Sequence, residues 1–350
     1  MERYIGLDVH TQSCTMAVVG SSGRRLRSMV LETNAKVLVE SLRGIGGSCR
    51  LCMEEGLHCE WLYEVLEPHV EELVVIQPQP RQGTKNDAID AWHLAEQLRT
   101  RSWTRRVIKS PSRFSMLREA VRAYDVATRE VSRAKNRLRA LLRSRGIDVD
   151  ESIYDAKARQ ASLKQLKRPQ LLRAECLAAQ MDALVPAKER AEAWLKEEAA
   201  KVPEVHRVMT VPGIGPVRAA TIVAVVVTPE RFRTKQQFWS YCGLGIVTRS
   251  SADWEQDDKT RSWRRRKRAQ TRGLNRNRHP LLKNVFKGAA MHVLKMSQHP
   301  LCLAYEKMLE NGTKPNLARL TIARRIASAV LAIWKHKEEY DPAKHGQRAA

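Results

Sequence analysis

A chain of 350 residues is too long for one comfortable hydrophobic core and suits two domains plus a connector. Its 62 Lys and Arg against 38 Asp and Glu leave a formal charge of +24, an excess that asks for a polyanionic partner, most commonly nucleic acid. The longest apolar stretch, Ile222–Val227, is far too short to cross a bilayer, which excludes a membrane-spanning design, and seven cysteines without framework spacing exclude a disulfide scaffold.

The polar start, MERYIGLDVH, lacks the pattern of a secretory signal, so the expected location is the cytoplasm. Tyr4–Val9, Cys14–Val19 and Arg27–Leu31 read as three short strands of a meander, the last two joined by a turn at Ser21-Ser22-Gly23. A helix over Ala35–Leu42 is closed by Gly44, Gly46 and Gly47. Cys49–Met53 is a fourth strand, followed by a helix around Trp61–Leu66 that Pro68 stops. Leu73–Ile76 is a fifth strand, and a helix runs from about Asn86 to Arg99. Three strands followed by alternating helices and strands predict an α/β layout with a mixed sheet.

Beyond this head the pattern is helical and basic. Residues 101–145 carry fourteen basic side chains and three acidic ones, with an apolar stripe through Leu117, Val121, Tyr124, Val131, Leu138, Leu141 and Leu142. A second helical region over about Arg173–Lys201 is expected to be interrupted near Pro186. The two stripes predict an antiparallel hairpin or a contact across a dimer. Residues 206–345 read as mostly helical, ending in an amphipathic helix at about Leu317–Lys337. The expected domains are 1–108, 109–203 and 204–350.

The charge changes sign along the chain. Residues 1–98 carry fourteen acidic side chains against nine basic ones, so the remainder holds all of the positive excess. That asymmetry points to a cation-binding catalytic unit joined to a unit that grips a polyanion.

Four carboxylates in the head carry the chemistry. Asp8 sits in the first strand and Glu54 ends the fourth, with Glu55 beside it as the alternative. Asp87 and Asp90, three apart, share one helix face. Hard oxygen donors converging at a sheet edge suit one or two Mg²⁺ ions, which activate a nucleophile and stabilise a leaving oxygen in phosphoryl transfer. A competing explanation makes Thr84–Asp87 a helix capping box. Cys49 and Cys52, with His58 and Cys59, resemble a zinc site superficially, but Cys49–Met53 reads as a short buried strand, where free cysteine is a normal core residue.

Three features of the basic half address nucleic acid. Val211–Pro216 is a glycine turn opening an apolar helix; as the hairpin of a helix-hairpin-helix, Gly213 and Gly215 would present backbone N–H groups to a phosphate. Tyr241-Cys242-Gly243-Leu244-Gly245 leads to Arg249, Ser250 and Ser251, where a hydroxyl can stand beside a phosphate. The run Arg261, Trp263, Arg264, Arg265, Arg266, Lys267 and Arg268 combines phosphate-neutralising cations with a ring able to stack on a base.

Together IGLDVH, Met53-Glu54-Glu55-Gly56, KNDAIDA, TVPGIGPVRAA and YCGLG resemble the motifs of DEDD-type transposases of the "one-ten" insertion-sequence family. The resemblance implies an α/β RNase H/RuvC-like N-terminal domain, a long α-helical coiled-coil linker and a mainly α C-terminal transposase domain. It implies that Asp8, Glu54, Asp87 and Asp90 hold Mg²⁺, with Mn²⁺ as a substitute, and that a serine after the YCGLG turn, Ser251 or Ser250, attacks DNA. The implied partners are double-stranded DNA (element ends and target), a structured guide RNA and further copies of the chain as a dimer or tetramer. A purely hydrolytic RNase H-type nuclease using the same four carboxylates, and a non-catalytic nucleic-acid-binding protein, are the alternatives.

Overall fold

The computed structural model describes residues 1–78, 86–103, 105–107, 109, 113–248, 254–256, 261–265 and 271–342. The chain divides into two compact units, Met1–Arg113 and Phe114–Ala350.

The first unit is a six-stranded mixed sheet with three helices. In chain order it comprises β1 (Glu2–Val9), β2 (Ser13–Gly20), β3 (Arg25–Glu32), α1 (Ala35–Arg43), β4 (Ser48–Glu54), α2 (Cys59–Leu66), β5 (Glu72–Ile76), α3 (Asp87–Thr100) and β6 (Arg106–Val107). The spatial order is β3-β2-β1-β4-β5-β6. The meander β1–β3 is antiparallel, β4 and β5 join β1 in parallel, and β6 closes the sheet antiparallel. This is the mixed α/β sheet expected from the sequence.

Alternation along the strands gives the sheet two apolar faces. Ile5, Leu7, Leu51, Met53, Leu73 and Val75 pack beneath α1 and α2 through Leu38, Leu42, Leu62 and Leu66. Tyr4, Cys52, Val74 and Ile76 meet Leu94, Ala95 and Leu98 of α3 on the other face. Each such fully buried aliphatic side chain contributes about 1.5–3 kcal/mol. Cys49 and Cys52 therefore belong to opposite faces, and both are buried free thiols. Burial, with the Glu54 charge adding to it, pushes the Cys52 thiol up to about 12, as expected of a core cysteine. The CxxC is core packing.

The second unit opens with α4 (Ser115–Arg143), α5 (Arg159–Leu163) and α6 (Arg168–Ala200). Ala134, Leu138, Leu141 and Leu142 near the end of α4 pack against Ala174, Ala178 and Met181 near the start of α6, which makes an antiparallel hairpin within one chain. Arg159, itself buried, is paired with Asp182 of α6. The expected interruption at Pro186 does not occur. α6 runs through it, forgoing one backbone bond, because packing along α4 holds both sides of the proline in helix.

There follow α7 (Pro203–Met209), α8 (Pro216–Val226), α9 (Lys235–Tyr241), β7 (Ile246–Thr248), β8 (Trp254–Gln256), β9 (Trp263–Arg265), β10 (Thr271–Leu274), α10 (Pro280–Val293), α11 (Pro300–Glu310) and α12 (Pro315–His336). The buried helix α8 is central, surrounded by Leu117, Leu195, Phe238, Phe286, Ile326 and Val330 from five neighbouring helices. Four short strands between α9 and α10 were not expected. β7 pairs antiparallel with β10 and β8 with β9, so the two pairs are nested, outer and inner, in one excursion of the chain. Among the described residues no helix is long and apolar enough to cross a membrane.

The turn before α8 is tightly built. Gly213 has φ +80°, and a Cβ there would stand 2.6 Å from the Ala289 carbonyl oxygen and 2.9 Å from a Val293 methyl on α10. Glycine is thus required by both backbone and packing. We expect Gly213→Ala to lower stability by about 2–4 kcal/mol, read as a fall in the chemical denaturation midpoint.

Candidate active site

The site begins with what the strands do to Asp8 and Glu54. In β1, Tyr4, Gly6 and Asp8 face α3, while Ile5 and Leu7 face the opposite core. In β4, Cys52 and Glu54 face α3 in the same way. The parallel register pairs Gly6 with Cys52 and Leu7 with Met53, so Asp8 and Glu54 stand next in line at the carboxyl ends of neighbouring strands. Crevices at such strand ends are where α/β sheets collect ligands.

α3 brings the other two carboxylates. Asn86 caps it, its side-chain oxygen accepting from the Ala88 N–H at 3.0 Å, which fixes where the helix starts. The cap is Asn86 rather than Thr84, which lies outside the described residues, as does Lys85. Asp90, Ala91, Leu94, Ala95 and Leu98 form the sheet-facing stripe, and Asp87 precedes it by one turn. Asp90 is only 7% exposed, unusual for an aspartate.

Gly6 lets α3 come this close. A Cβ on Gly6 would lie 2.5 Å from the Ala95 nitrogen and 2.9 Å from the Leu94 Cβ, and closer still to the Ala91 carbonyl oxygen. The helix backbone rests directly on β1 at that point, which carries the first turn of α3 to the end of the strand.

The resulting cluster is Asp8, His10 and Asp87. His10 Nε2 lies 3.2 Å from Asp8 Oδ2 and 3.4 Å from Asp87 Oδ1. One ligand atom from each residue falls within 4.8 Å of the others, the single group of this kind among the described residues. Asp8 Oδ2 and His10 Nε2 are both buried atoms that make no hydrogen bond among the described residues. Two carboxylates brought together beside such orphaned atoms repel each other, and a bound cation would relieve that repulsion and partner the shielded Asp8 oxygen. The donors fit a divalent ion: carboxylate oxygens suit Mg²⁺ and Mn²⁺, and the imidazole nitrogen inclines the set toward Mn²⁺.

Glu54 and Asp90 border this cluster without being members of it. Glu55 is committed elsewhere, its side chain accepting from Lys109 Nζ at 3.0 Å. His10 was missed by sequence reasoning, although the signal was present. In Asp8-Val9-His10 the two polar residues are two apart, the spacing that puts side chains on one face of an extended chain.

In the second unit, the YCGLG turn leaves α9 and enters β7. It is held from three directions: Leu244 and Gly245 N–H groups donate to the Trp239 carbonyl at 2.7 and 3.0 Å, Asn275 Nδ2 donates to Ser240 Oγ at 2.7 Å, and Arg324 Nε of α12 donates to the Leu244 carbonyl at 2.8 Å. Arg249, Ser250 and Ser251 follow β7 and, like Arg266, Lys267 and Arg268, lie outside the described residues. Arg261 precedes β9, whose backbone carries Trp263, Arg264 and Arg265, and the Trp263 ring is exposed. Gly215 is the N-cap of α8 and has open space where a Cβ would be, whereas Gly213 is packed against α10.

Comparison with protein families gives two matches that together span most of the chain. Residues 5–147 match the DEDD-type IS110 model, described as a transposase, and residues 205–301 match the model described as the transposase IS116/IS110/IS902 family. No curated protein matches the chain.

Proposed function

The chain belongs to the IS110 family of transposases and is a DNA transposase, and we propose from that premise that it exchanges DNA strands with two sets of residues. Asp8, Glu54, Asp87 and Asp90 hold Mg²⁺, with Mn²⁺ able to replace it, and a serine after the YCGLG turn is the nucleophile. The observation that carries this proposal is the convergence of Asp8, His10 and Asp87 with orphaned buried atoms at the strand end. Dependence on a divalent ion follows from the DEDD domain; the ion supplies Lewis-acid stabilisation of charge on phosphate oxygens.

The protein's own residues do the rest. Asp8 and Glu54 are fixed by strand register, and Asp87 and Asp90 by the capped helix, so the carboxylates are oriented before DNA arrives. His10 adds a nitrogen donor or holds the Asp8 carboxylate in place. Ser251, or Ser250 beside it, attacks a phosphodiester: the serine oxygen–phosphorus bond forms as the phosphorus–3′-oxygen bond breaks. The 3′-oxygen takes up a proton, and the 5′ end stays linked as phosphoserine. Attack by another strand's 3′-hydroxyl reverses these bonds and completes the exchange. Gly215 at the head of α8 and the cations Arg249, Arg261, Arg264, Arg265, Arg266, Lys267 and Arg268 contact phosphates, with the turn before α8 acting as a helix-hairpin-helix. Gly213 fixes the shape of that turn.

We further propose a three-part organisation, 1–108, 109–203 and 204–350, in which the α4–α6 hairpin is a coiled-coil linker between catalytic parts. A structured guide RNA and assembly as a dimer or tetramer follow from the same family membership.

The test is a covalent trap on end-labelled, nicked DNA with Mg²⁺. Wild type is expected to give a protein–DNA adduct resistant to denaturant, which Ser251→Ala reduces to background. If the Ser250→Ala/Ser251→Ala double variant still forms the adduct, the serine assignment is wrong. Metal-dependent cutting without any adduct would favour simple hydrolysis. Sequencing the RNA that copurifies with the protein tests the guide.

A further inference from the structure

The inner strand pair between α9 and α10 presents two tryptophans outward. Trp254 pairs with Arg265 and Gln256 with Trp263, so positions 254, 256, 263 and 265 share one face of the two-stranded sheet. Trp254 and Trp263 are therefore diagonal neighbours on that face. They are 57% and 64% exposed, the most exposed tryptophans among the described residues. Neither packs against another aromatic ring among those residues. A lone exposed aromatic is ordinary; two on one face of a three-residue strand pair form a surface with a use.

The chemistry around them selects the partner. Residues 254–274 contain eight Lys and Arg against three Asp and Glu. Centres of protein–protein interfaces favour Trp and Arg but are depleted in Lys, Asp and Glu, and this segment also carries two Lys, two Asp and one Glu. Aromatic rings interleaved with cations instead match single-stranded nucleic acid, whose bases stack on the rings while its phosphates are neutralised. A base inside a duplex has both faces covered by its neighbours, so these rings reach bases only where a strand is unpaired.

We propose that the Trp254–Trp263 face binds unpaired bases of a DNA strand, such as a transposase exposes when it opens a duplex for exchange. This inference rests on the assignment of the chain as a DNA transposase. It adds a surface that distinguishes an opened strand from intact duplex, a discrimination that phosphate contacts alone do not provide.

The experiment uses the full chain and three labelled probes of one sequence: a short single-stranded DNA, its duplex, and the corresponding single-stranded RNA. Trp254→Thr/Trp263→Thr removes both rings while keeping residues that favour a strand, and Trp254→Phe/Trp263→Phe keeps aromatic faces. The threonine variant is expected to lose about 10–100-fold in affinity for single-stranded DNA. Its duplex affinity and the salt dependence of that affinity stay as in wild type, and the phenylalanine variant retains most of the single-strand affinity. Equal losses on single strand and duplex, no loss on either, or a loss as large in the phenylalanine variant would overturn the proposal. A larger loss on RNA than on DNA would do so too, assigning the face to RNA. A wild-type chain that binds neither DNA form would overturn the transposase assignment itself, whereas strand exchange unaffected by either double variant sinks only the tryptophan face.

Discussion

Asp8→Asn is expected to abolish divalent-ion-dependent DNA strand cleavage, with a loss of about 10³-fold or more, while affinity for duplex DNA stays within about twofold. The size follows from what a metal centre contributes to phosphoryl transfer, several kcal/mol of transition-state stabilisation, at tenfold for each 1.4 kcal/mol. The neutral amide keeps the shape of Asp8 but gives up the charged oxygen that lies unbonded beside His10 Nε2. DNA affinity is spared because the positive excess lies outside residues 1–98. A second readout separates the ion from the chemistry. Adding Mn²⁺ raises the melting temperature of wild type by mass action on the folded state and leaves that of the variant unmoved. Full cleavage by Asp8→Asn, or an equal Mn²⁺ response, would remove Asp8 from the centre.

Gly6→Ala should be the most damaging single methyl in the first unit. The new Cβ meets α3 backbone at Ala91 and Ala95, which cannot rotate away as a flexible side chain would. Either the helix lifts from β1 or the strand bends. Overpacking of this kind costs about 3 kcal/mol or more, equivalent to roughly 10–20 °C in a unit the size of Met1–Arg113. The functional consequence is larger than the stability loss alone. Lifting α3 moves Asp87 and Asp90 away from Asp8, so the Mn²⁺-induced rise in melting temperature should vanish even below the melting transition of the variant. Gly6→Ala that melts like wild type and responds to Mn²⁺ would mean that α3 is not seated on β1 as described.

Much of the first unit was legible because its elements are long and locally consistent. β1, β2, α1, β4, α2, β5 and α3 fall within a few residues of the bounds expected from apolar runs, glycines and prolines. Asp8 and Asp87 were legible as candidates because an aspartate in an apolar strand and one at a helix start both have restricted places to point. His10 was not, since a histidine just past a strand end has many ordinary uses; only the side-chain alternation set by β1 shows that it shares the Asp8 face. The nested strands between α9 and α10 were hidden for a different reason. Their three- and four-residue segments are too short to show a period, and arginines outnumber β-favouring residues around them, so no strand was expected in the basic run. Pro186 shows the reverse case, in which a strong local breaker is overridden by packing along a long partner helix. The turn at Gly213 was visible as a tight turn, but its burial against α10 depends on Ala289 and Val293, far later in the chain, and has no local signature.

The claim on which the function depends is that carboxylates from the first strand and the third helix share one divalent ion. Anomalous X-ray diffraction from crystals soaked in Mn²⁺ tests it without reference to activity. The expected result is a manganese peak within bonding distance of Asp8 and Asp87 carboxylate oxygens, lost in Asp8→Asn crystals treated identically. A map with no peak there, or with manganese only on surface acids elsewhere, would contradict it.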